Sequence, residues 1–153
     1  MAVNAVFFSR SGPLDPEDLC GILDVKYDGT VAEWLNYQRE LISKQPDGST
    51  VGVIPEAIRG DKEFAQKLLF FATGWNHVPY YCQSKYRLTI EFNDNELPDA
   101  DSLPVAHICV NTLVLPGQAY EGDANKFMQR MAFSLEYTTK MVREETGLNV
   151  IPM

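Results

Sequence analysis

Leu88, Ile90 and Phe92 alternate with Thr89 and Glu91, and this two-residue period most narrows what the chain can become, because it predicts a half-buried strand. A strand with one apolar face needs a neighbour to pair with and an element to cover it. The neighbour is predicted to begin near Val105, across an acidic, proline-bearing loop at residues 93–104. The cover comes from segments of a different period. Phe64, Ala65, Leu68, Leu69 and Ala72 recur at helical spacing from a start near Asp61, and Gly74 supplies a left-handed stop. Residues 123–146 repeat Phe127, Met131, Leu135 and Val142 along one helical face and end at Gly147. Helices packed on a short sheet, an α+β fold, are the expectation.

The remaining segments are punctuated by turn residues. Ser11-Gly12-Pro13, Asp15-Pro16 and Asp28-Gly29 surround a short apolar stretch at residues 19–23, so residues 1–23 are predicted to be an arm or hinge and residues 24–153 the domain. Thr30 and Glu33 make a capping box, predicting a helix from Val31 that buries Trp34, Leu35, Tyr37, Leu41 and Ile42 and ends at Pro46. Residues 45–60, with two prolines and three glycines, are predicted to be a surface loop with a few extended residues at 51–54. No internal repeat is present.

Composition limits the function classes. At 153 residues, with 45% hydrophobic and 22% charged, the chain can build the core of one domain. A formal charge of -8 disfavours nucleic acid and anionic membrane and favours a neutral or basic protein partner. Three cysteines, no secretory signal and no long apolar run predict a reduced, soluble protein of the cytoplasm, with the nucleus as the alternative.

Chemistry concentrates in Leu103-Pro104-Val105-Ala106-His107-Ile108-Cys109-Val110-Asn111. As an extended strand it puts Ala106, Ile108 and Val110 on an apolar face suited to the core, and His107, Cys109 and Asn111 together on the other. A thiol is thereby presented outward, with an imidazole to stabilise a thiolate or move a proton, and an amide to orient the group attacked. The plainer alternative makes Cys109 a small buried hydrophobe and His107 an ordinary surface imidazole, and period and face alone leave both open. A direct His107 to Cys109 hydrogen bond needs a bend, since residues two apart on a straight strand lie about 6–7 Å apart at Cα. His77, Cys82, His107 and Cys109 are a nominal two-His, two-Cys zinc set, but no C-x-x-C knuckle accompanies them, and no metal or other cofactor is expected. Cys20 and Cys82 are expected to be incidental thiols. Trp75, Tyr80, Tyr81 and Tyr86 are expected at the core or its rim, and the acidic run at 91–101 as a solvated loop.

These residues resemble the C-terminal lobe of HECT-type ubiquitin-protein ligases, in which a Leu-Pro-x-x-His-Thr-Cys-x-Asn stretch carries the thiol that accepts ubiquitin. The continuation Leu113-Val114-Leu115-Pro116 and Tyr120-Glu121 is similar to the family's strand, proline turn and final helix. Upstream, Leu68-Leu69-Phe70-Phe71-Ala72-Thr73-Gly74 with Val78-Pro79 resembles Leu-Leu-x-Phe-x-Thr-Gly and its downstream proline, and Tyr27-Asp28-Gly29 matches in kind. The resemblance spans residues 24–137 and is most specific in the cysteine block.

The resemblance implies a small lobe with a short mixed sheet packed with helices, and a transthiolation at Cys109. The thiol would take ubiquitin from a conjugating enzyme and yield it to a substrate lysine, His107 and Asn111 acting locally in support. Ubiquitin's tail would lie extended near Leu103, Pro104 and the strand edge, with Ile108 and Val110 completing the partner-binding residues. Ile108 stands where the family has Thr, and residues 148–153 carry no Phe of the kind the family often has near its C-terminus. The family's larger N-terminal lobe, which recruits the conjugating enzyme, is expected in cis in a longer chain or in trans. Two rival readings keep the fold with other chemistry: a noncatalytic ubiquitin- or protein-binding module, and a thiol hydrolase.

Overall fold

Leu88, Ile90 and Phe92 are fully buried in one strand, as their alternation predicts, and the sheet is assembled around it. The computed structural model describes residues 14–30, 33–78 and 86–146, with side chains to residue 137 in the last helix. The chain runs through α1 (Pro16–Gly21), β1 (Leu23–Asp28), α2 (Asn36–Leu41), β2 (Ser43–Lys44), β3 (Thr50–Val51), α3 (Val53–Gly60) and α4 (Lys62–Thr73). It continues through β4 (Leu88–Asn93), β5 (Val105–His107), β6 (Thr112–Leu115) and α5 (Ala124–Thr146), with 3-10 turns at Ile108–Val110 and Ala119–Gly122.

The main sheet has the order β1-β4-β6-β5, and β2 pairs with β3 in a separate short ladder. β4 is flanked in parallel by β1 and β6, while β5 pairs antiparallel with β6, so the sheet is mixed and the fold α+β, as expected. Parallel neighbours need a long crossover, and the helices between β1 and β4 supply it. The expectation of a half-buried β4 is corrected: it is a central strand, and Glu91 and Asn93 are only 9% exposed on its other face. Glu91 is accommodated there because Asn93 Nδ2 donates to it at 2.9 Å and Lys26 Nζ lies at 3.6 Å.

Residues 14–23, within the segment predicted to be an arm or hinge, belong to the core instead. Leu19 is fully buried, and Leu14, Cys20, Ile22 and Leu23 nearly so. Asp15 caps α1 by accepting the Glu17 N–H at 3.0 Å, and Pro16 opens the helix, so the pair read as a turn is a helix start. β1 then pairs along its length with β4, Leu23, Val25 and Tyr27 opposite Leu88, Ile90 and Phe92. Its own alternation was the available signal. Residues 1–13 lie outside the described residues.

Two further expectations are corrected. The predicted helix start at Val31 lies outside the described residues, but residues 33–35 are not helical, and Thr30 is engaged elsewhere: its N–H donates to the Asp94 carboxylate at 2.7 Å and its hydroxyl donates to the same group. α2 begins at Asn36, where Gln38 Oε1 accepts the Leu35 N–H at 3.0 Å, and it ends at Leu41 because Ser43–Lys44 enters β2. The predicted loop at 45–60 holds α3. Gly52, at φ +119°, starts it, Pro55 falls in the first turn where no amide hydrogen is needed, and Ile54 and Ile58 are fully buried. α4 follows as predicted, capped by Asp61, which accepts from Glu63 and Phe64 N–H, and closed by Gly74 at φ +76°. α5 buries Phe127, Met131 and Leu135, as predicted, whereas Val142 and Gly147 lie outside the described side chains.

Candidate functional site

The candidate site is the tip of the β5–β6 hairpin. Val105, Ala106 and His107 pair with Val114, Leu113 and Thr112, so residues 108–111 must reverse the chain between them. They do so through a 3-10 turn at Ile108–Val110 and a left-handed Asn111 at φ 50°, a conformation asparagine tolerates better than most residues. The Asn111 N–H donates to the Ile108 carbonyl at 3.1 Å, and the Asn111 carbonyl accepts the Thr89 N–H of β4 at 2.9 Å. Thr112 Oγ1 closes the turn by donating to the Val110 carbonyl at 3.0 Å.

This turn corrects the reading of residues 103–111 as one strand with a core-facing apolar side. The extended chain stops at His107, Ala106 is only half-buried, and Ile108 and Val110 are 54% and 65% exposed. Cys109 stands exposed between two solvent-facing aliphatic side chains, which excludes the buried-hydrophobe alternative. Asn111 contributes its backbone to the turn, Leu103 is exposed, and Pro104 is buried. α4 packs along β5 and the tip, and a Cβ on Gly74 would lie 3.6 Å from Ile108 Cγ2.

His107 is held by a residue that sequence reasoning passed over. Its Nε2 lies 3.0 and 2.9 Å from the two carboxylate oxygens of Glu96. Glu96 sits in the run read as a solvated loop, and no periodicity in the sequence links it to His107. Cys20 contrasts with Cys109: it is buried, its thiol directed to the Pro55 carbonyl at 3.8 Å, and burial pushes its pKa up.

Among the described residues, no hydrogen bond or ring contact links His77 or Trp75 to Cys109 or His107. His77 Nδ1 faces Asn76 Oδ1 at 2.7 Å, and Trp75 packs edge-on to His77 and Tyr86. Cys82, Tyr80 and Tyr81 lie outside the described residues. Among the described residues no three His, Cys, Asp or Glu side chains converge as metal ligands, and no helix is long and apolar enough to cross a membrane.

An apolar groove of about 300 Å³ runs beside β5, between Phe71 of α4, Leu103, Pro104 and Val105, and Phe133 and Tyr137 of α5. Among the described residues β5 has no strand on its outer side, so it is an edge strand of the sheet, and its Val105 lines this groove. An exposed thiol, a paired imidazole and an open strand edge can together take an acyl group from an extended donor. A family model described as HECT-domain (ubiquitin-transferase) matches residues 30–142. No curated protein matches the chain.

Proposed function

The chain belongs to the HECT-domain (ubiquitin-transferase) family, and on that premise we propose that it is the family's thiol-bearing C-terminal lobe, loading ubiquitin as a thioester on Cys109. The observation that carries this reading is the exposed Cys109 at the hairpin tip. Cys109 attacks the thioester joining ubiquitin to a conjugating enzyme, then yields ubiquitin to a lysine of a protein substrate. Exchange between two thioesters is nearly balanced, so placement and access of the thiol matter more than a strong acid or base. Ile108 and Val110 offer apolar contact on either side of it, and the groove lined by Leu103, Pro104 and Val105 suits an extended ubiquitin tail. Recruitment of the conjugating enzyme falls to an N-terminal lobe, in cis or in trans.

The test is to mix the protein with ubiquitin bearing a small-molecule C-terminal thioester and to look for an adduct on a non-reducing gel. An adduct cleaved by added thiol and absent from Cys109→Ala is the expected result. No adduct, with Cys109 readily alkylated by a small reagent, would leave the noncatalytic binding module as the better account. Release of ubiquitin to water faster than to added lysine would favour a hydrolase.

A further inference from the structure

Glu96 reaches His107 across eleven residues of chain, and both ends of the contact are anchored in the sheet. Asn93, at the end of β4, accepts the N–H groups of Asn95 and Glu96 with Oδ1, at 3.0 and 2.9 Å, and its carbonyl accepts the Leu97 N–H at 3.2 Å. Asn93 Nδ2 donates to Glu91, itself paired with Lys26, so the backbone under Glu96 is tied to the sheet's centre. His107 is fixed from the other side by its pairing with Thr112. The two side chains are 33% and 46% exposed, and an ion pair so open adds little to stability.

An ionised carboxylate only accepts, so the nitrogen facing Glu96 carries the proton. In the neutral imidazole Nδ1 is then the acceptor, and among the described residues it has no hydrogen-bond partner. We infer that Glu96 is a positioning residue, holding His107 by Nε2 so that Nδ1 is the nitrogen available to the chemistry two residues away at Cys109. The inference rests on the thioester reading above. When a lysine amine attacks the thioester carbonyl carbon, the C–N bond forms as the C–S bond breaks, and sulfur leaves with the bonding pair as thiolate. The proton shed by the new ammonium passes to Nδ1, Glu96 balances the imidazolium, and that proton then returns to sulfur.

Two measurements on the full chain test this. Long-range ¹H–¹⁵N NMR at about pH 8, above the ordinary imidazole range, reports the tautomer of His107, with His77, the other of the two histidines, as internal reference. The wild type should show Nε2–H, and Glu96→Gln a mixture, because an amide can donate or accept. In a single-turnover chase, discharge of loaded Cys109 to free lysine should slow about tenfold in Glu96→Gln, part of the roughly 10²–10⁴-fold that a positioned acid or base contributes. An unchanged His107 spectrum, or an unchanged chase in a wild type that loads normally, would overturn the role of Glu96 alone. A wild type that never loads would overturn the thioester reading and this inference with it.

Discussion

Cys109 owes its exposure to its neighbours' backbone: β5 ends one residue after Ala106, and the left-handed Asn111 lets β6 begin at Thr112. Tyr120 is the opposite kind of residue. Also left-handed, at φ 54°, it is fully buried, its hydroxyl donating to the Ser102 carbonyl at 2.7 Å and its N–H to the Ala100 carbonyl at 3.0 Å. It thereby straps the loop that enters β5 to the start of α5. Tyr120→Phe keeps the ring and deletes the donor, so urea denaturation should show a loss of about 1 kcal/mol. Burial also pushes the phenol pKa values of Tyr86 and Tyr120 up, and that of Tyr27 up to about 12. The fold favours these phenols neutral, and for Tyr27 that contribution is intact below about pH 10, the unfolded value, and is lost as pH rises through about 12. Melting temperature should fall across that window, less steeply in Tyr27→Phe, and a flat profile would contradict the assignment.

Among the elements, two glycines separate what short-range pattern reveals from what packing decides. Gly74 closes α4 at φ +76°, and a Cβ there would meet only Ile108 Cγ2 at 3.6 Å, so Gly74→Ala should cost about 1 kcal/mol, chiefly conformational. Gly52 opens α3 at φ +119°, and a Cβ there would lie 2.9 Å from the Leu41 carbonyl oxygen, so Gly52→Ala should cost more. Equal losses in urea titrations would show that the clash is relieved by local shifts. Gly74 was legible because it follows a three-turn amphipathic run. Gly52 was not, because α3 has only eight residues, too few for a firm period, and its Gly and Pro mark a loop equally well. Ile54 and Ile58 resolve that ambiguity only once α1 and α4 are there to bury them. Thr30 fails for a related reason: its hydroxyl can cap a helix or bind Asp94, and only the fold brings Asp94 within reach.

For the whole molecule, the first described helix is part of what holds the lobe together. Leu19 is fully buried and α1 packs on α3 and α4, so Leu19→Ala should cost about 2–5 kcal/mol in denaturant titrations, and a loss near zero would restore the arm. The sequence by itself determined the α+β class, β4, α4, α5 and the cysteine block, because each rests on a period or motif contained within a few turns of chain. Tertiary structure alone decided the rest. It placed β4 at the centre of the sheet, turned the expected strand into a hairpin tip that exposes Ile108, Cys109 and Val110, and brought Glu96 to His107. Those outcomes depend on which backbone groups find partners across long separations in the chain, and no local pattern encodes such pairings.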